Sequence, residues 1–93
     1  MTIENTILDF KLSNTFEEYE SNMNAKEQQL MFKEMGVKIF YIGKSLNDPQ
    51  RATVIFQGPE NVLYDIFMNP ETKPIVESSG HIYKGTKITR WIS

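Results

Sequence analysis

Apolar and polar residues recur along the chain in distinct blocks, and the period of each block names an element. Over residues 3–12 the alternation is clean from Thr6 onward: Leu8, Phe10 and Leu12 fall on one side, Ile7, Asp9 and Lys11 on the other. A period of two predicts a half-buried strand. Ser13-Asn14-Thr15 then ends the strand and opens a helix, with Asn14 as cap and Glu17 three residues on, the spacing of a capping box. Glu17, Glu18 and Glu20 sit in its first turns, where the helix dipole favours negative charge. Phe16, Tyr19, Met23 and Leu30 keep helical spacing, so the helix runs to about Met35, with Gly36 as a natural stop.

The second half repeats the alternation of strand and helix. Val37 to Lys44 reads as a strand with two apolar sides: Val37, Ile39 and Tyr41 on one, Phe40 and Ile42 on the other. Asn47-Asp48-Pro49 is a turn signal, and Ala52 to Gln57 is a third strand, so the two pair as an antiparallel hairpin. Gly58-Pro59-Glu60 opens a second helix with an apolar stripe of Val62, Leu63, Ile66 and Phe67, broken by Asn69-Pro70. A short helical turn carrying Ile75 and Val76 starts at Pro74 and ends at Ser78-Ser79-Gly80. His81 to Trp91 is the last strand, with a bulge or bend expected at Gly85.

The order β-α-β-β-α-β predicts an α+β fold, the split βαβ or ferredoxin-like plait, as one domain over residues 1–93. Such a plait is a four-stranded antiparallel sheet with both helices on one face. The other face should be polar if it meets water, yet Ile7, Phe40 with Ile42, Ile55 and one or both of Trp91 and Ile92 supply it with apolar side chains. A patch of that size marks an interface or binding site. The expected remedy is a sheet-on-sheet homodimer; the plainer alternative is a monomer with an amphipathic second face.

Composition narrows the functional classes. The 93 residues hold no cysteine and one histidine, which leaves no thiolate nucleophile, no disulfide and no multi-histidine metal site in one chain. With 10 Lys plus Arg against 12 Asp plus Glu, the net charge is −2, and no basic run offers itself to nucleic acid or an anionic membrane. The start, Met1-Thr2-Ile3-Glu4-Asn5, lacks the basic and apolar regions of a signal peptide, and no run approaches a membrane span. The chain therefore reads as cytoplasmic.

The element order, the length and the two-sided strands resemble the dimeric α/β-barrel superfamily. More narrowly, Glu77-Ser78-Ser79-Gly80-His81-Ile82-Tyr83, Thr86-Lys87-Ile88-Thr89, Phe10-Lys11-Leu12-Ser13 and Thr15-Phe16-Glu17-Glu18 are similar to a family of short uncharacterised proteins of marine cyanobacteria and their phages. The superfamily resemblance implies a homodimer and a site near strand ends. Its members include cofactor-free monooxygenases, lactone isomerases, haem enzymes and ligand-sensing domains, so it speaks to fold more than to function.

His81 is the one side chain whose ordinary pKa lies near neutrality, which makes it the candidate catalytic acid or base. The plainer reading is a histidine that caps the preceding turn or faces solvent. Tyr41, Tyr83, Arg90 and Trp91 are the candidate ligand-binding residues, because aromatics with a polar tip suit a flat organic ligand. They are equally ordinary core and dimer residues. Asp9 is a base if buried and an ion-pair partner if wet. The Glu17-Glu18-Tyr19-Glu20 stretch lacks the loop of an EF-hand, and the five methionines are core filler. The glycines stand singly, without a phosphate-binding loop, and no serine has a nucleophile-elbow setting. No metal or cofactor is expected. Three readings follow: a small-molecule-binding or regulatory domain with an aromatic-lined pocket, a cofactor-independent enzyme using His81, or a protein-interaction module.

Overall fold

The alternation over residues 3–12 forms a strand, β1 (Ile3–Leu12), whose even positions are buried. The structure, a computed structural model, describes residues 2–93. Two helices follow, α1 (Phe16–Met23) and α2 (Lys26–Glu34), then the hairpin β2 (Lys38–Lys44) and β3 (Arg51–Pro59). A helix α3 (Val62–Met68), a 3-10 turn (Pro70–Thr72) and a short helix α4 (Lys73–Ser78) lead to β4 (His81–Ile92). The sheet order is β2-β3-β1-β4, with every neighbouring pair antiparallel. This is the order of the split βαβ plait, with β1 and β3 in the middle.

The parity of β1 divides the sheet. Leu8, Phe10 and Leu12 lie under the helices with Ala52, Val54 and Phe56 of β3. Tyr19 and Met23 of α1, Phe32 of α2 and Phe67 of α3 close over them. Phe10 and Val54 are wholly enclosed, and burial of side chains this size contributes roughly 1.5–3 kcal/mol each. The odd positions form the open face. There Ile7 lies opposite Ile55 and Thr89, Tyr41 opposite Ile55, and Trp91 opposite Asn5.

Local chemistry departs from the simple periods at five places. Thr15, not Asn14, caps α1: its Oγ1 accepts from the Glu18 N–H at 3.1 Å, and it donates to the Glu18 carboxylate. Asn14 instead donates to the Ser79 carbonyl. The single helix expected to Met35 is two, because Ala25 adopts an extended conformation. The freed Met23 carbonyl accepts from Gln29 Nε2 at 3.1 Å, and the break lets Met23 and Phe32 both reach the sheet. Pro59 belongs to β3, opposite Ile3, rather than to the following helix. Asn61, in the left-handed region at φ 73°, makes that turn.

The strands β2 and β4 each carry extra residues. A register shift between Ile39 and Tyr41 places both Ile39 and Ile42 against the core. Ile42 is thus absent from the open face, whereas Phe40 is exposed. In β4, Ile82 pairs with Lys11 and Lys87 with Asp9, so residues 83–86 bow out of the ladder around Gly85, whose φ is 83°.

Candidate functional site

His81 enters the core because the turn before it is fixed from several directions. Gly80 has φ 107°, and the side chain of Asn14 occupies the space where a Cβ would stand. The Gly80 carbonyl accepts from the Ser13 backbone N–H at 2.8 Å, and the Ser79 carbonyl accepts from Asn14 and Asn22. This clamp aims the His81 side chain inward, where it is 3 % exposed.

There the imidazole lies flat on Phe10, with ring centroids 3.7 Å apart and planes within 6°, and leans on Phe67 at 5.5 Å. His81 Nε2 is 2.8 Å from Thr86 Oγ1. Thr86 Oγ1 is also 3.2 Å from the Ile82 carbonyl. The geometry fits two neutral tautomers: Thr86 donating to the carbonyl and accepting from Nε2–H, or Thr86 donating to a bare Nε2. Nδ1 has no protein partner among the described residues. Burial holds the ring neutral by pushing its pKa down to about 4.

His81 lines a cavity of about 100 Å³ between the sheet and the helices. Leu8 and Phe56 form the floor; Tyr19, Met23 and Phe32 form one wall, and Leu63, Ile66 and Phe67 the other. Met31 and Ile75, both partly exposed, stand on either side of the opening. No side chain in the lining is charged at neutral pH. Burial drives the Tyr19 hydroxyl above the usual tyrosine range, so it stays protonated, and it has no hydrogen-bond partner among the described residues. The hydroxyls of Thr72 and Ser79 are bonded to backbone carbonyls.

The other candidate residues lie in three separate places. Tyr83 backs the cavity wall: its ring stacks on Phe67 at 4.7 Å, and its hydroxyl donates to the Phe67 carbonyl at 2.8 Å. Arg90 makes a bidentate pair with Glu4, Nε to Oε2 at 2.7 Å and Nη2 to Oε1 at 2.9 Å, and its guanidinium lies 4.0 Å over the Tyr64 ring. Glu4 also accepts from Thr6 and from the Asn61 N–H. The Arg90 contact, with these bonds, holds its pKa down at about 2. The cluster ties β1, β4 and the start of α3 together. Tyr41 and Trp91 are on the open face, 54 % and 62 % exposed. Asp9 is on that face too, paired with Arg51 at 2.9 Å.

Sequence reasoning reached His81 but passed over Tyr19, Phe10 and Phe67 as parts of a site. A signal for Tyr19 existed: it is the one hydroxyl on the buried stripe of the first helix. Among the described residues, no group of three or more His, Asp or Glu is placed to hold a metal, and no helix is long and apolar enough to cross a membrane.

The fold is shared with proteins of very different sequence. A proposed antibiotic biosynthesis monooxygenase from Bordetella bronchiseptica is 10 % identical, with a TM-score of 0.68 over 98 % of this chain and 96 % of that one. SnoaB, a cofactor-independent oxygenase from Streptomyces nogalater, is 9 % identical, with a TM-score of 0.65 over 98 % and 92 %. A dimeric ferredoxin-like protein from an uncultured marine organism is 12 % identical, with a TM-score of 0.56 over 100 % and 89 %. At such identities the likeness shows the ferredoxin-like fold and nothing of the chemistry. Among curated proteins none matches the sequence. Residues 3–93 match the family described as a domain of unknown function, DUF3764, and the chain belongs to that family.

Proposed function

We propose that the protein is a homodimeric small-molecule-binding domain whose ligand occupies the cavity between helices and sheet. The observation that carries this reading is the lining: apolar and aromatic walls with a few polar side chains among them, chiefly His81, Tyr19 and Gln28. A largely preformed apolar pocket with a few convergent polar groups is the usual form of a ligand site. The test is native mass spectrometry of protein purified from its own host, beside an Ile75→Trp variant that plugs the partly exposed mouth. A retained mass present in the parent and absent from the variant supports the reading. Protein that is empty in both, and whose melting temperature no small organic molecule raises, refutes it.

The homodimer rests on the open face. Ile7, Ile55, Tyr41 and Trp91 form an apolar centre, and Lys11, Lys87 and the Asp9–Arg51 pair give it a charged border. An apolar middle within a polar rim is the usual anatomy of an interface. The fold relative from an uncultured marine organism is itself dimeric, which points the same way.

A second reading, a cofactor-independent enzyme, is favoured by one observation: the sole histidine lies in the cavity wall rather than in solvent. In that reading His81 takes or gives a proton at Nδ1, and Tyr19 is the tyrosine that shares its cavity. Tyr83 and Arg90 have their polar tips engaged elsewhere. A protein-interaction module would need no enclosed pocket, so the cavity speaks against it.

A further inference from the structure

Resting on the small-molecule reading above, the geometry points to a ligand class: we infer that the cavity takes a neutral, single-ring molecule bearing one hydroxyl or N–H that donates to His81 Nδ1. Three observations carry this. First, none of the residues around the cavity bears a charge at neutral pH, so an anion or cation would enter without a counter-charge. Charge transferred to such surroundings is strongly disfavoured. Second, Thr86 Oγ1 touches both the Ile82 carbonyl, which can only accept, and His81 Nε2. In this inference the hydroxyl proton goes to the carbonyl, so that Thr86 accepts from Nε2–H and Nδ1 is left as an acceptor, which selects a donor. A site that offers an unpaired acceptor to its ligand discriminates against an analogue that lacks the donor. Third, the volume is about 100 Å³. A dry apolar cavity of roughly 150 Å³ holds benzene, so this one takes a single ring whose outer edge sits between Met31 and Ile75 at the mouth, and no fused ring system.

Thr86 is a positioning residue in this scheme. It touches the histidine and not the ligand, and it determines which nitrogen is free. Tyr19, protonated and without a partner, supplies a second polar contact on the opposite wall.

The experiment titrates the intact protein with phenol, toluene and benzoate, followed by two-dimensional NMR, and reads the His81 nitrogen shifts in a long-range proton–nitrogen spectrum. Expected are phenol binding at least tenfold tighter than toluene, no binding of benzoate, and a protonated Nε2 with a bare Nδ1 before phenol is added. Phenol should move the Nδ1 resonance. In Thr86→Val the margin of phenol over toluene should shrink severalfold, with toluene binding unchanged. Equal binding of phenol and toluene, tighter binding of benzoate, or a proton on Nδ1 in the free protein overturns the inference while leaving a ligand cavity intact. If no probe binds, the cavity reading falls together with it. The nitrogen spectrum is taken on the parent chain and stands whether or not the variant folds.

Discussion

Lowering the pH from neutrality should destabilise the protein through His81, in a window that a single substitution removes. The ring has an ordinary pKa of 6.5 when the chain is unfolded and about 4 when it is folded, because burial against Phe10 and Phe67 disfavours the imidazolium. Above about pH 6.5 both states hold the ring neutral, and the stability is at its full value. Between 6.5 and 4 the unfolded chain binds the proton and the folded chain does not, so stability falls as pH falls. Below about 4 both states are protonated and this contribution changes no further. A gap of about 2.5 pH units at about 1.36 kcal/mol each gives about 3 kcal/mol in all. By linkage, roughly 1 kcal/mol is lost by pH 5.5 and roughly 2–3 kcal/mol by pH 4.5. Measured against a total of roughly 5–14 kcal/mol for a chain this long, that loss is large. The assay is urea unfolding of the parent and of His81→Phe at pH 7.5, 5.5 and 4.5, at one protein concentration. Phenylalanine keeps a flat ring against Phe10 and cannot titrate. The difference between the two proteins should shift by about 2–3 kcal/mol toward the variant across that range. Parallel curves would show that His81 is solvated in the folded state, and the cavity argument would lose its polar anchor.

Three further outcomes follow from other contacts. Glu4, held at about 2 by Arg90, Asn61 and Thr6, makes the same kind of contribution in a lower window: it is present above about 4.5 and lost as pH falls toward 2. Glu4→Gln should flatten the acid limb of the unfolding curve and leave the His81 window unchanged. Gly80→Ala should destabilise more than Gly85→Ala. Both glycines have positive φ, a strain of about 1–3 kcal/mol for alanine, yet only at Gly80 does the new Cβ meet a side chain, that of Asn14. Chemical unfolding that ranks the two equally would remove the Asn14 clamp from the account. Sedimentation at low micromolar concentration should give about twice 10.8 kDa for the parent, and Ile7→Lys, which puts a charge at the centre of the open face, should give the monomer; a monomeric parent would refute the interface.

How much of this was legible in the sequence depended on whether a residue's role is local. The strict alternation of β1 showed its two faces at once, and its even positions are the floor of the core. The hairpin needed only its turn residues. The departures come where the chain inserts a residue: a period of two looks the same on either side of a bulge, so the alternation puts Ile42 on the open face whereas the shift at Ile39–Tyr41 turns it to the core. The break at Ala25 was hidden because residues on both sides of it keep helical spacing. Long-range pairing was hidden as well. Arg90 stood out as a polar residue on a strand, but its partner Glu4 is 86 positions away. His81 was singled out only because it is the sole histidine. That it is buried and stacked depends on Gly80, Asn14 and Phe10 together, which no local pattern shows.

The parity of the central strand makes the two proposed roles of this sheet separable. Ile7 and Leu8 are neighbours in sequence, yet one belongs to the open face and the other to the cavity floor. Substitutions at odd positions of β1 should therefore alter association without changing the cavity lining. In β4 that independence ends. A regular ladder would keep residues 83–86 paired to β1 and alternate their side chains between the faces. Instead they bow out between the pairs Lys11–Ile82 and Asp9–Lys87, and the excursion brings Tyr83 beneath Phe67 and Thr86 back to His81. Bulges that re-aim side chains are common beside functional sites, and here the irregular segment provides both the support of the cavity wall and the hydroxyl that meets His81 Nε2. Just beyond the excursion the strand resumes its pairing and delivers Thr89 and Trp91 to the open face. Trp91 on the open face and Thr86 beside His81 thus lie on one strand. If the two proposed roles influence one another, β4 is the element through which they do so, and a Gly85→Ala substitution should change the affinity for phenol and the dimer dissociation constant together, where Ile7→Lys changes only the second.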